Sequence, residues 1–116
     1  MRLAIAQKSK REDIYQMDAA MIVRISEARV RPGLLDEFRD FIVEGTRHYD
    51  ELDGFLGDEV LVTDGGLLFI SRWRDEVALE RFAGSGWRDT PVMLPAQERF
   101  LAEPLRVRHF HVVRSR

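Results

Sequence analysis

Cysteine is absent from the 116 residues of this chain. Disulfides, thiolate catalysis, iron–sulfur clusters and cysteine-ligated zinc sites are therefore excluded. Lysine is scarce, and both lysines, Lys8 and Lys10, lie in the first ten residues. The formal net charge is only −2, with both signs interspersed. Composition therefore gives no reason to expect nucleic acid or an anionic membrane as a partner.

Long apolar runs are also missing. No stretch approaches the length of a membrane span, and the apolar start of the chain is too short for a signal peptide. We therefore expect a cytoplasmic protein that does not contact a membrane. The length suits one domain with one hydrophobic core.

The first 20 residues differ from the rest of the chain. The run Gln7–Asp13 is polar and has no core periodicity, which is typical of a flexible N-terminal extension. An upstream start codon, with Met21 as the functional start, explains the same pattern equally well. We expect the folded domain to occupy residues 21–116.

Hydrophobic periodicity in this domain predicts strands and helices in the order β-α-β-β-α-β. Asp75 is placed to cap the second helix, and Asp64-Gly65-Gly66 is typical of a tight hairpin. A further helix is expected late in the chain, interrupted at Pro95. The predicted strands are 21–30, 55–63, 67–73 and 105–113, and the predicted helices are 34–52, 76–82 and 92–102.

This order is that of the ferredoxin-like split β-α-β fold, an α+β fold with an antiparallel sheet. The helices cover one face of the sheet. The other face also looks apolar, with Val23, Ile25, Phe110 and Val112 as candidates. A second copy of the chain is the simplest cover for that face, so we expect a homodimer.

Several short motifs, in this order and spacing, resemble the antibiotic biosynthesis monooxygenase (ABM) superfamily over about residues 21–113. The resemblance implies a dimeric α+β barrel. It rests on Met21-Ile-Val-Arg-Ile, Arg29-Val-Arg-Pro-Gly33, Asp53-Gly-Phe-Leu-Gly57, Arg72-Trp73 with Ala78-Leu79 and Phe82, and Arg108-His-Phe-His-Val-Val113.

The superfamily contains cofactor-independent monooxygenases that act on polycyclic phenols, haem-degrading enzymes and members of no known activity. Trp73 matches its tryptophan at the end of the third strand. Phe69 and Leu79 stand where the polyketide-type monooxygenases have asparagine and tyrosine, and neither can hydrogen-bond an oxygen. In the haem-degrading branch, Ser26 replaces an asparagine, and residues 91–94 offer no histidine as an axial ligand. We therefore expect no cofactor and no haem degradation.

Aromatic residues are the candidates for a pocket between sheet and helices. We expect Trp73 in its wall, with Phe69 beside it and Tyr49 approaching from the first helix; core packing is the alternative for Trp73 and Tyr49. Trp87 and Arg88, after a glycine-rich break, would form the pocket rim or a lid. A plug at the edge of the core is the alternative for Trp87.

His48 is the best candidate for a catalytic base, provided that burial keeps it neutral. Its alternative is a helix-end histidine that interacts with the helix dipole. His109 and His111 share a strand face, but two ligands without a clear third, with Glu27 as one candidate, favour structural histidines over a metal site. The arginines of the first and last strands are interpreted as a solvated edge.

Two functions therefore remain open. The first is a homodimeric ABM-like protein that binds a small, mostly apolar or aromatic molecule, as cofactor-independent oxygenases do. The second is a non-catalytic binding or structural module of the same fold.

Overall fold

The computed structural model describes residues 20–116. The strands of its sheet form from segments in which apolar residues either alternate with polar ones or follow one another without interruption. Its strands are β1 (Ile22–Arg29), β2 (Phe55–Thr63), β3 (Gly66–Trp73) and β4 (Arg106–His111). All neighbouring strands pair antiparallel, in the order β2-β3-β1-β4. The predicted extension over residues 1–20 lies, except for Ala20, outside the described residues.

Two α-helices cover one face of this sheet, α1 (Leu35–Gly45) and α2 (Glu76–Ala83). Their apolar stripes pack Phe38 and Ile42 of α1, and Ala78 and Leu79 of α2, into the interior. The predicted cap of α2 is confirmed, because the Asp75 carboxylate accepts a hydrogen bond of 2.9 Å from the backbone N–H of Ala78. The α+β fold with an antiparallel sheet and two helices is the one expected from the sequence.

The first helix is shorter than predicted. It ends at Gly45, and a separate 3₁₀ helix, Arg47–Glu51, follows. Thr46 lies between them, and its hydroxyl donates a 2.7 Å hydrogen bond to the Ile42 carbonyl. The backbone N–H of Thr46 donates to the same carbonyl at 3.0 Å, so both donors of Thr46 bind Ile42 at the last turn of α1. The change of direction places Tyr49 over the sheet.

The predicted helix over residues 92–102 is wrong. Only a short 3₁₀ helix, Gln97–Phe100, forms there. Ala96 adopts the left-handed conformation with φ 68° directly after Pro95, and the Gln97 side chain, not a helical carbonyl, accepts the Leu94 N–H at 2.8 Å. The proline and the reversed backbone prevent regular helix propagation. Residues 91–96 therefore lie as an irregular segment against the interior.

The uncovered face of the sheet is apolar at its centre. Residues directly opposite in the register share a face, which places Ile25 beside Ile70 and Val23 beside Phe110. Phe110 is 49% exposed and Leu61, on β2, is 43% exposed. The apolar second face predicted from the sequence is confirmed for Val23, Ile25 and Phe110. Among residues 20–116, no helix is long and apolar enough to span a bilayer.

Candidate functional site

A row of polar side chains crosses the helix-covered face of the sheet. Asp58 on β2 lies opposite Ser71 on β3, Ser71 lies opposite Arg24 on β1, and Arg24 lies opposite His109 on β4. Because opposite residues share a face, all four strands contribute a polar group at the same level. The space between sheet and helices therefore has a polar band across an otherwise apolar interior.

Arg24 is the centre of this row and is only 3% exposed. Its guanidinium donates to the carbonyls of Trp87, at 2.8 Å, and Thr90, at 3.0 Å. Its third hydrogen bond, 3.1 Å long, reaches Nε2 of His109. Arg24 thereby fastens the segment after α2 to the sheet. The predicted solvated edge is wrong for this arginine.

His109 is held neutral by its surroundings. Burial lowers its pKa to about 4, and the positive charges of Arg24 and Arg88 act in the same direction. Because a guanidinium can only donate, Nε2 of His109 accepts and the ring proton resides on Nδ1. The Trp87 ring meets the imidazole edge-on, with centroids 4.8 Å apart. His109, which the sequence analysis interpreted as a structural histidine rather than a metal ligand, is therefore a weak base.

A small cavity lies next to this row, between the sheet and α1, with a volume of about 30 Å³. A void of that size accommodates about two water molecules. Its wall is mixed, because aliphatic and aromatic surface alternates with hydroxyl and amide groups. The lining residues are Ser26, Ile42, Thr46, Tyr49, Phe69, Val92, Leu94, Gln97 and Leu105.

Among the residues that line the cavity, Tyr49 has the side chain best suited to a functional role. It is 4% exposed, and its hydroxyl forms no hydrogen bond with any of residues 20–116. Burial raises the pKa of Tyr49, Arg24 opposes that rise and Asp58 adds to it. The phenol is therefore neutral and lies within electrostatic range of Asp58 and Arg24 in the polar row. A ligand or water in the cavity is its natural hydrogen-bond partner.

Trp73 is fully buried, with 0% exposure. Its indole N–H donates a 3.0 Å hydrogen bond to the Ser71 hydroxyl. Phe82 stacks on it at 4.8 Å and Phe55 meets it edge-on at 5.3 Å. Trp73 does not line the cavity, so the expectation that it forms part of the wall is wrong. Its part in ligand binding stays a prediction.

His48 lies on the outer side of the 3₁₀ helix and is exposed. Its ring meets the edge of Tyr49, with centroids 4.9 Å apart, but it is absent from the cavity wall. The expected burial of His48 is therefore wrong, because the break at Thr46 rotates its side chain away from the sheet. A role for His48 as the base stays a prediction.

Trp87 fills the edge of the core and is 3% exposed. The Arg88 guanidinium stacks over its ring at 4.3 Å and pairs with Glu76 at 3.2 Å. The other Glu76 oxygen accepts a 2.8 Å hydrogen bond from His111. These contacts hold Trp87 and Arg88 against the polar row, and neither residue lines the cavity. Among residues 20–116, no three metal-ligating side chains converge.

The structure therefore brings together only some of the predicted site residues. Tyr49 and Phe69 meet at the cavity, whereas Trp73, Trp87 and Arg88 do not line it. Sequence reasoning missed Arg24, although a signal was present. Arg24 lies on the same face of β1 as the buried Ile22 and Ala28. The other face of this strand also carries apolar residues, so the sequence pattern did not show which face the helices cover.

Solved structures with the same fold cover most of this chain. A putative antibiotic biosynthesis monooxygenase from Caulobacter crescentus is 14% identical with a TM-score of 0.67, covering 89% of this chain and 99% of its own. SnoaB, a cofactor-independent oxygenase from Streptomyces nogalater, is 19% identical with a TM-score of 0.64, covering 84% and 97%. A heme-degrading protein from Mycobacterium tuberculosis is 17% identical with a TM-score of 0.60, covering 84% and 96%.

At these identities the structural likeness shows the fold alone. No curated protein matches the sequence significantly. The family described as antibiotic biosynthesis monooxygenase matches residues 21–101, which is more than half of the chain and includes β1, β2, β3 and both α-helices. The chain therefore belongs to the antibiotic biosynthesis monooxygenase family.

Proposed function

We propose that this protein is a homodimer that binds a compact, mostly apolar or aromatic molecule between its sheet and α1. The observation that carries the proposal is the cavity, whose wall includes Tyr49, a buried residue whose hydroxyl bonds to no residue in the range 20–116 and still reaches solvent. Apolar surface with a few convergent polar groups is the usual composition of a small-molecule site. Phe69 and Leu105 supply apolar surface, and Ser26 and Gln97 supply polar groups.

The cavity must enlarge to admit such a ligand, because about 30 Å³ is far below the volume of an aromatic molecule. The outer wall is the part of the site most suited to move. Val92 and Leu94 belong to the irregular segment between Pro91 and Ala96. Segments without regular backbone pairing open at lower free-energy cost than strands. Outward movement of this segment would enlarge the void, whereas an inward shift of Leu94 alone would fill it.

An oxygenase reaction without a cofactor needs a dry pocket and a base that activates the substrate. Arg24 supplies a buried positive charge in the row, which would stabilise a developing oxyanion. Related solved structures include a cofactor-independent oxygenase. These features support an oxygenase as the catalytic form of the proposal, with His48 as the base predicted from the sequence.

A non-catalytic binding module is the second candidate function. Phe69 and Leu79 favour it, because both face the interior and neither forms a hydrogen bond to a substrate oxygen. The exposure of His48 favours it as well, since a solvated imidazole has no preorganised contact with the cavity.

Ligand binding can be tested by calorimetric titration with 1-naphthol, using a variant that closes the cavity. A Cβ at Gly45 would stand 2.5 Å from Leu94 Cδ1, so Gly45→Ala should push that flexible side chain into the void. We expect saturable binding by the wild type and loss of binding in Gly45→Ala. Val43→Ala, at an exposed position of α1, is the matched control. Equal affinity in Gly45→Ala would contradict the site.

Oxygen uptake with bound 1-naphthol separates the two functions. Consumption above a protein-free control would support the oxygenase, and its abolition in His48→Ala would identify the base. Binding without oxygen uptake would support the non-catalytic module.

The dimer can be tested on the uncovered face of the sheet. The apolar centre of that face, around Ile25 and Ile70, supports burial against a second copy. Sedimentation equilibrium at micromolar concentration should show about twice 13.5 kDa. Ile70→Asp should shift the protein to the monomer, whereas Val77→Asp, on the exposed side of α2, should not. A wild-type monomer would contradict the proposal.

A further inference from the structure

Arg24 is a buried cation without a counter-ion in the described part of the chain. It is 3% exposed, and none of the ion pairs among residues 20–116 includes it. Its acceptors are two backbone carbonyls and a neutral imidazole. Burial lowers the pKa of its guanidinium, which records the cost of holding this charge away from water.

The hydrogen bonds that attach the segment after α2 to the sheet do not require a charged side chain at position 24. Neutral donors satisfy the carbonyls of Trp87 and Thr90 equally well in principle, without the desolvation cost of a full charge. The guanidinium also has five N–H groups, of which the three hydrogen bonds use only NH1 and NH2 donors. Nε–H donates to no residue in the range 20–116.

The position of Arg24 connects it to the cavity. Ser26 follows it by two residues on β1, so the two side chains are neighbours on one face of the sheet. Ser26 and Tyr49 both line the cavity, and Arg24 interacts electrostatically with Tyr49. A group in the cavity therefore meets the Ser26 hydroxyl and the Tyr49 phenol, and Arg24 is the next residue on that face of β1.

We propose that Arg24 is the receptor for a carboxylate of the ligand, so that the protein binds small aromatic or apolar monoacids. This inference rests on the proposed small-molecule site and names the class of molecule that fits it. A single guanidinium beside the neutral His109 balances one negative charge, which favours a carboxylate over a dianionic phosphate. A carboxylate group has only three heavy atoms, so it is the part of such a ligand that suits a void of about 30 Å³.

The test compares benzoate with benzamide, a neutral molecule of nearly the same shape, by calorimetric titration of the full chain. The wild type should bind benzoate roughly tenfold or more tightly than benzamide, because charge-assisted hydrogen bonds are about twice as strong as neutral ones. Arg24→Gln should bind both with similar affinity, and Arg24→Lys should keep a preference for benzoate. Arg81→Gln, at an exposed position of α2 and paired with Asp53, is the control and should behave as the wild type does.

The outcomes separate this inference from the proposed site. If the wild type binds benzamide and benzoate with equal affinity, the inference of a carboxylate receptor is wrong and the small-molecule site still stands. No binding of either compound at millimolar concentration would overturn both. The wild-type comparison decides even where Arg24→Gln fails to fold, and circular dichroism of each variant identifies that case.

Discussion

The Trp73 end and the Arg24 end of the space between sheet and helices are built differently. At the first end, Trp73 is fully buried, stacked on Phe82, and its N–H is satisfied by Ser71. At the second end, a buried charge lacks a counter-ion and the Tyr49 hydroxyl lacks a partner among residues 20–116. A cavity also lies at that end.

This difference separates residues that stabilise the fold from residues that stability does not explain. Close packing and satisfied polar groups are what a core requires. A void and an isolated buried charge each cost stability, and the free hydroxyl adds none. Such costs are concentrated at functional sites, where a ligand or a reaction requires them. The Arg24 end is therefore the better candidate for function, although its neighbour Trp73 carries the resemblance to the family.

The largest expected effect is at the packed end. Trp73→Ala should lower the free energy of unfolding by ~3–5 kcal/mol, because it removes the largest fully buried side chain and leaves a cavity. Urea denaturation would measure it. Val77→Ala, on the exposed side of α2, should change the same quantity by no more than ~0.5 kcal/mol. A loss below ~1 kcal/mol for Trp73→Ala would remove the contrast between the two ends.

The hydroxyl at the packed end should matter next. Ser71→Ala leaves the Trp73 indole N–H buried without an acceptor, so we expect a loss of ~1–3 kcal/mol. Urea denaturation of the single variant measures the loss. Ser71→Thr keeps an acceptor and should recover part of the stability. Equal stability of Ser71→Ala and the wild type would show that the indole finds another acceptor.

The charge at the Arg24 end predicts a pH dependence. The pKa of His109 is about 4 in the folded protein, below its usual 6.5, so the unfolded chain binds more protons between those values. Its contribution to stability is therefore complete above about pH 6.5 and is lost as pH falls towards 4. Because the ring is partly exposed, we expect an effect on the order of 1 kcal/mol.

The difference in unfolding free energy between the wild type and His109→Gln, measured by urea denaturation from pH 4 to 7, isolates this contribution. Asp58 acts in the opposite direction, since burial raises its pKa, but it is present in both proteins and cancels in the difference. A difference that does not vary with pH would contradict the neutral state of His109.

The smallest effect is expected at Tyr49. Its hydroxyl bonds to no residue in the range 20–116, so Tyr49→Phe should change the free energy of unfolding by less than ~0.5 kcal/mol. The same substitution should weaken ligand binding if the hydroxyl serves the cavity. Thermal denaturation together with 1-naphthol titration would separate the two quantities. A loss of stability comparable to that of Ser71→Ala would show that both ends are structural.

Much of the fold was predictable because its signals are local. Phe55–Thr63 was predicted to the residue, since a hairpin turn and a helix-terminating glycine bound it. Gly54 adopts φ +82°, and a Cβ there would collide with Ala78, so both the turn and the approach of α2 favour glycine. The helix predicted over residues 92–102 failed, because one left-handed residue after Pro95 decides the path and periodicity does not report it.

The candidate site was predictable only in part. Tyr49 and Phe69 were expected at a pocket and do line the cavity. Trp73 and Trp87 were chosen because they are large and lie at element ends, and both are buried and absent from the cavity wall. Arg24 was missed because a charged residue in a strand with two apolar faces gives no sign of which face is covered.

By itself, the sequence determined the order of strands and helices, the cap at Asp75, the hairpin at Asp64-Gly65 and the membership of a family. Each of these depends on neighbours along the chain or on spacing. Only the tertiary structure decided that Asp58, Ser71, Arg24 and His109 form one row, because they come from four strands and meet only through the pairing register. Burial of a charge and the presence of a void are properties of that assembly.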